Sequence, residues 1–122
     1  MQGASLVPGW TRVSIFLPVN TSPEIVAAQL VQNEIVSHYS GATTSVMRPH
    51  AFEGFWYDSQ NNRIVQDLVS IITVDIPISF SNAASLDTEL EIIKLIFIDE
   101  YQKAGSPQQE VWIVAYPLYR LP

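Results

Sequence analysis

The chain contains no cysteine, and its positive charges are few. Six Lys and Arg are scattered through 122 residues as Arg12, Arg48, Arg63, Lys94, Lys103 and Arg120. The first absence excludes disulfides, thiolate metal sites and a cysteine nucleophile. The second argues against nucleic acid as a partner, because phosphate backbones are held by clustered positive charge. It argues equally against an anionic membrane surface. Twelve Asp and Glu leave a net charge of −6. Charged residues make up only 15% of the chain and hydrophobic residues 48%, whereas about a quarter of a typical soluble domain is charged. With so little polar surface to spare, some apolar surface is expected to be covered by another subunit. No run of about 18 apolar residues is present to span a membrane. Residues Met1 to Trp10 have no positive n-region and no continuous apolar core, so they do not read as a signal peptide, and a cytoplasmic location is the default expectation. There is no Walker loop, no G-x-G-x-x-G and no G-x-S-x-G.

What is present reads as one domain over residues 11–122 behind a loose, flexible leader at 1–10 that holds Gly3, Pro8 and Gly9. From Arg12 to Leu17 polarity alternates with period two, with Val13, Ile15 and Leu17 on one face, which predicts a strand. Thr21-Ser22-Pro23-Glu24 has capping-box spacing and opens a helix whose buried stripe is expected to be Ile25, Ala28, Val31 and Ile35, with Leu30 beside it. A short β segment follows at Thr43 to Met47. Segments 52–58 and 63–76 read as a β-hairpin around Ser59-Gln60-Asn61-Asn62, since Asn tolerates positive φ. In the second arm Ile64, Leu68, Ile72, Val74 and Ile76 share one face. Val65, Val69 and Ile71 share the other with Asp67, Thr73 and Asp75, so a central strand is expected. A second helix, capped by Ser85 or Asp87, runs to about Lys103 with a core stripe of Leu86, Leu90, Ile93, Phe97 and Tyr101. Ile92, Leu95, Ile96 and Ile98 lie off that stripe, which predicts a helix buried on more than one side, with Ile92 and Ile96 as interface positions. Ala104-Gly105-Ser106-Pro107 stops it, and Glu110 to Tyr116 is a last strand that ends at Pro117.

The order β, α, β-hairpin, α, β, with right-handed crossovers, predicts an α+β ferredoxin-like split βαβ plait: a four-stranded antiparallel sheet with two helices on one face. The other sheet face would be open in a monomer, so a homo-oligomer is expected. Gly54-Phe55-Trp56-Tyr57, then Arg63-Ile64-Val65-Gln66-Asp67, a helix ending near Tyr101 and Gln109-Glu110-Val111-Trp112 together resemble small uncharacterised bacterial proteins of ferredoxin-like fold. The resemblance runs from Gly54 to the end of the chain. It implies the plait and no activity. Trimeric signalling proteins of the PII type share that plait, but their nucleotide-binding glycines and basic residues have no match here.

The stretch Arg48 to Asp58 gathers a cation, an imidazole, two carboxylates and several aromatics, the mixture of apolar walls and a few polar groups that lines binding pockets. The candidate ligand-binding residues are Arg48, His50, Glu53, Trp56, Tyr57 and Asp67. The bland alternative makes the aromatics core and the polar groups solvated. His50 is the natural acid or base near neutral pH, with Glu53 to orient it. His50, Glu53 and Asp58 are too unspecific a set to predict a metal site, and no cofactor is expected. His38 falls on the polar face at the end of the first helix, where it suits the helix dipole. Gly54 is expected to mark a bulge, and Trp112 an interface or core anchor. Asp67 and Asp75 are eight residues apart, roughly 27 Å along a strand, and cannot form a dyad.

Three readings follow. The first is a non-enzymatic, homo-oligomeric module that binds a small ligand or a protein partner. The second is a cofactor-free enzyme of the α+β barrel type, using His50, Glu53 or Tyr57 in a sheet-face pocket. The third is a structural subunit of a larger assembly.

Overall fold

The computed structural model describes residues 7–39, 43–44, 52–108 and 110–120. Strand β1 (Val7–Pro18) begins inside the expected leader. Gly9 makes this possible: its φ of 128° sits at the register shift between Val7 and Trp10, a conformation that needs no side chain. Helix α1 spans Ser22–Tyr39. The Glu24 amide donates to Thr21 Oγ1 (3.2 Å), and the Glu24 carboxylate reaches back to the Asn20 amide (2.9 Å), a capping box displaced by one residue.

The hairpin falls where the turn chemistry places it, as β3 (Phe52–Asp58) and β4 (Arg63–Ile76). Asn62 takes φ 50°. Asp58 accepts from the Gln60 and Asn61 amides (3.1 and 3.3 Å) and from Asn61 Nδ2 (2.7 Å). β3 pairs with β4 in unbroken register from Phe52↔Val69 to Asp58↔Arg63, so Gly54 marks no bulge. β2 (Thr43–Thr44) pairs with Thr73 and Ile72; the rest of the expected segment, 45–47, lies outside the described residues. β2 and β3 both pair antiparallel with β4 along the edge away from β1.

A 3-10 turn at Phe80–Asn82 leads into α2 (Ala83–Lys103). The helix thus starts before Ser85 and Asp87, and neither caps it. It ends in a Schellman motif: Ser106 N donates to Tyr101 O and Gly105 N to Gln102 O, both at 3.0 Å, with Gly105 at φ 77°. β5 (Trp112–Arg120) runs through Pro117 instead of ending there. It pairs with β1 alone among the described residues, and an edge strand tolerates a missing N–H.

The sheet order is β2/β3–β4–β1–β5, antiparallel throughout, with both helices on one face. This is the ferredoxin-like split βαβ plait. Val13, Ile15 and Leu17 of β1 and Ile72, Val74 and Ile76 of β4 form the sheet side of the core. Ala27, Ala28, Val31 and Ile35 of α1 and Ile93, Phe97 and Tyr101 of α2 close it. On α1 the buried stripe is rotated from the expected one: Glu24 and Ala27 are inside, while Ile25 and Leu30 are exposed. On α2 Ile96 and Ile98 pack against the core and Ile92 is half-buried; Leu95 alone of the four is exposed.

Candidate functional site

The sheet face away from the helices is built from residues that alternate with the core. The strand registers order it into rows across β4, β1 and β5. At one end stand Asp75, Arg12 and Tyr116; next come Thr73, Ser14 and Val114; then Ile71, Phe16 and Trp112. The face therefore grades from polar to apolar toward the end of the sheet from which the hairpin projects. In the first row the Arg12 guanidinium donates to both Asp75 carboxylate oxygens, Nε to Oδ1 at 2.8 Å and Nη2 to Oδ2 at 3.0 Å. That bidentate pair, with Tyr116 beside it, raises the Arg12 pKa still further above its ordinary value. Ser14 Oγ and Thr73 Oγ1 share a hydrogen bond of 3.1 Å. In the third row Phe16 and Ile71 are half-buried, and Trp112 is 63% exposed.

Beyond this row β1 has ended. Its last pair is Pro18↔Val69, and Asn20 terminates the ladder by donating from Nδ2 to Asp67 Oδ1 (3.1 Å) and accepting from the Leu68 amide at Oδ1 (2.8 Å). The β3–β4 hairpin continues past that point as a two-stranded arm. On its helix-side face Phe55 is 65%, Tyr57 59% and Ile64 72% exposed.

Of the expected site residues, Glu53, Trp56, Tyr57 and Asp67 belong to this arm. Arg48 and His50 lie outside the described residues. Glu53 and Trp56 take β3 positions opposite Leu68 and Val65. Tyr57 is exposed and donates to Asn62 Oδ1 in the turn. Asp67 is half-buried at the base of the arm, across from Gly54. Asp58 serves the turn. The Asn61 side chain, then the turn amides and Arg63, hold its carboxyl below the ordinary value.

Three polar groupings tie the helix layer together. Glu24, buried where α1 begins, also accepts from Ser106 Oγ (2.9 Å) and Gln108 Nε2 (3.4 Å), so the start of α1 is fastened to the end of α2. Tyr39 donates to Glu89 Oε2 at 2.6 Å; burial, then that carboxylate, pushes the phenol pKa up. His38, half-exposed at the end of α1, stands 3.5 Å from the same oxygen. Glu34 faces the buried Glu100, and burial and the neighbouring carboxyl raise the Glu34 pKa. Lys103, 2.8 Å from Asp99, lies 3.7 Å from Glu100 and offsets part of that repulsion.

At the opposite edge of the sheet a groove of about 640 Å³ runs between α2 and β5, over Leu90, Ile98 and Ile113. Sequence reasoning missed it. Glu110 and Trp112 were legible as the start of a strand, but their position beside Leu90 and Glu91 follows only from helix–sheet packing. Among the described residues no helix is long and apolar enough to cross a membrane. Nor do three or more His, Asp or Glu side chains gather among them as a metal site.

No protein-family model matches the chain, and no curated protein does. Solved structures share its fold. A Bacillus cereus protein related to NIF3 superposes with a TM-score of 0.58 at 16% identity, over 95% of this chain; this chain spans only 27% of that one. CutA1 from Oryza sativa gives 0.53 at 12% identity, over 93% of this chain and 82% of that one. A phage SAM lyase in complex with S-methyl-5'-thioadenosine gives 0.55 at 12% identity, over 100% and 97%. At such low identity these superpositions show a shared fold and no more.

Proposed function

We propose that the protein is a self-associating binding module, in which the open face of the sheet is covered by further copies of the chain and a ligand or partner site forms at that junction. The observation that carries this reading is the row Ile71–Phe16–Trp112, which leaves a large indole exposed on a sheet face that has no second layer among the described residues. Exposed apolar surface of this kind marks interaction sites. The low proportion of charged residues fits the same reading. Asp67 stands on the same face of β4 as Ile71, Tyr57 lies on the other face of the arm, and Arg48 and His50 precede the hairpin in the sequence. The test is native mass spectrometry, with light scattering, of the protein purified from its own cells. A discrete oligomer carrying extra mass per subunit is expected. A bare monomer at micromolar concentration would end this reading.

One observation favours a second reading, an enzyme: the near-complete mutual coverage with the phage SAM lyase. On this reading the chain acts on an adenosyl sulfonium compound. The net charge of −6 suits a cationic substrate, and aromatic faces such as Trp112 suit a sulfonium through cation–π attraction. Incubation with S-adenosylmethionine, followed by chromatography for S-methyl-5'-thioadenosine, tests it. Product above the uncatalysed background is expected, and its absence over hours at high protein concentration rejects the reading.

A further inference from the structure

We infer that the hairpin arm of one copy docks on the β5 edge of the next, with Phe55 and Tyr57 entering the groove between α2 and β5. The inference rests on the self-association reading and specifies its geometry.

The sheet has two free edges among the described residues, β3 on one side and β5 on the other. Unpaired strand edges recruit other strands unless something blunts them. β3 carries no proline, and β5 is proline-free from Trp112 to Tyr116. The arm is unsupported as well. A two-stranded ribbon is marginal in water without a third strand or a layer against it. Yet, among the described residues, 63–66 of β4 pair with no strand but β3, and Phe55, Tyr57 and Ile64 on the helix-side face are more than half exposed.

The groove offers what the arm lacks. Its floor is apolar, at Leu90, Ile98 and Ile113, and on its rim Asp87, Glu91 and Glu110 outnumber Lys94. The arm's exposed cation, Arg63, lies 3.8 Å from Asp58 at the turn, on the face away from Phe55 and Tyr57, so the fit rests on the apolar floor. Strand parity adds a separate constraint. Phe55 and Tyr57 stand opposite Gln66 and Ile64, which share the face of the buried Ile72 and Ile76. A β3 strand added to β5 in a continuous sheet therefore sets both aromatics on the helix side, over the groove. An arm-to-arm dimer would leave the β5 edge and the groove open. A head-to-tail contact uses both edges of every copy, and it gives a ring where the rotation between copies closes and a filament where it does not.

The absence of cysteine makes the test clean. Gln66→Cys, exposed beside Phe55 on the arm, and Glu110→Cys, exposed at the groove, keep Phe55, Tyr57 and the apolar floor, with Asp87 and Glu91 still on the rim. Each variant alone, and the two co-expressed, are treated with a short bis-maleimide. A cross-linked dimer at least tenfold more abundant in the mixture than in either variant alone is expected. Cross-linking of the Gln66→Cys variant alone means arm-to-arm contact and overturns the inference. A discrete oligomer by light scattering with no cross-link in the mixture overturns it too, while self-association stands. A monomer rejects both. A monomer cross-linked at position 110 to a different protein replaces the second copy with a foreign strand and overturns the inference. In parallel, Phe55→Asp alters an exposed side chain. It is expected to retain its circular dichroism and lose at least nine-tenths of the oligomer; a folded Phe55→Asp variant of unchanged mass contradicts the proposal.

Discussion

The hydroxyl of Tyr101, in the last turn of α2, donates a 2.6 Å hydrogen bond to the carbonyl of Pro18 at the end of β1. Tyr101 is fully buried and stacks on Phe97, with ring centroids 4.6 Å apart. Burial, and secondarily the nearby Glu24 carboxylate, push its pKa well above the ordinary value, so the phenol stays a donor at any physiological pH. The contact closes the core where β1 gives way to the Asn20 cap and the arm begins.

Tyr101→Phe keeps the ring and removes the donor, which leaves the Pro18 carbonyl short of a partner. The expected loss is roughly 1–2 kcal/mol, seen as a midpoint of thermal unfolding lowered by about 3–8 °C. Calorimetry at one fixed protein concentration checks it. An unchanged midpoint would mean that water replaces the hydroxyl without cost.

Much of the plait was legible because its signals are local. The alternation Val13, Ile15, Leu17 placed the core-facing part of β1 though not its start at Val7, and Asp58 to Arg63 carried enough turn chemistry to place β3 and β4 to the residue. The rotation of α1 was not legible. Hydrophobicity ranks Ile25 and Leu30 above Ala27, but the helix is oriented by Glu24, whose carboxylate is held inward by Asn20, Ser106 and Gln108. Two of those partners lie far along the chain, so no window around Glu24 contains the reason. Pro117 misled because a proline ends a central strand but not an edge one, and β5 is an edge only by topology. The candidate site suffered in the same way. Arg12 with Asp75, and Phe16 between Ile71 and Trp112, are products of register, and register is set by the whole sheet.

The hairpin turn should respond to acid. Asp58 is held below its ordinary carboxyl value of 3.8 by the Asn61 side chain and the turn amides. A carboxyl depressed in the folded state stabilises it above the unfolded-state pKa, and that contribution is lost as pH falls through the lower folded value. Asp58→Ala is therefore expected to loosen the turn at pH 7 and to make little difference near pH 2. Amide exchange of Gln60 and Asn61, measured by NMR, reports on it directly. Equal protection in the variant and the parent at pH 7 would show that the carboxylate does not hold the turn.

Glu34 presents the opposite sign. Burial and the adjacent Glu100 carboxyl raise its pKa, so the folded state binds its proton more tightly than the unfolded chain does. Between the ordinary carboxyl range and the raised folded value the ionised group costs stability, and the penalty persists at neutral pH. Glu34→Gln removes the charge and retains the shape. Because Glu34 is exposed, solvent screening limits the gain to about 0.5 kcal/mol or less at pH 7. At pH 3, where the carboxyl is protonated in both states, the gain should vanish. Urea unfolding of variant and parent at the two pH values separates the cases. A variant stabilised equally at both would place the gain in side-chain propensity or packing, and one destabilised at pH 7 would show that the Glu34–Lys103 attraction outweighs the repulsion from Glu100.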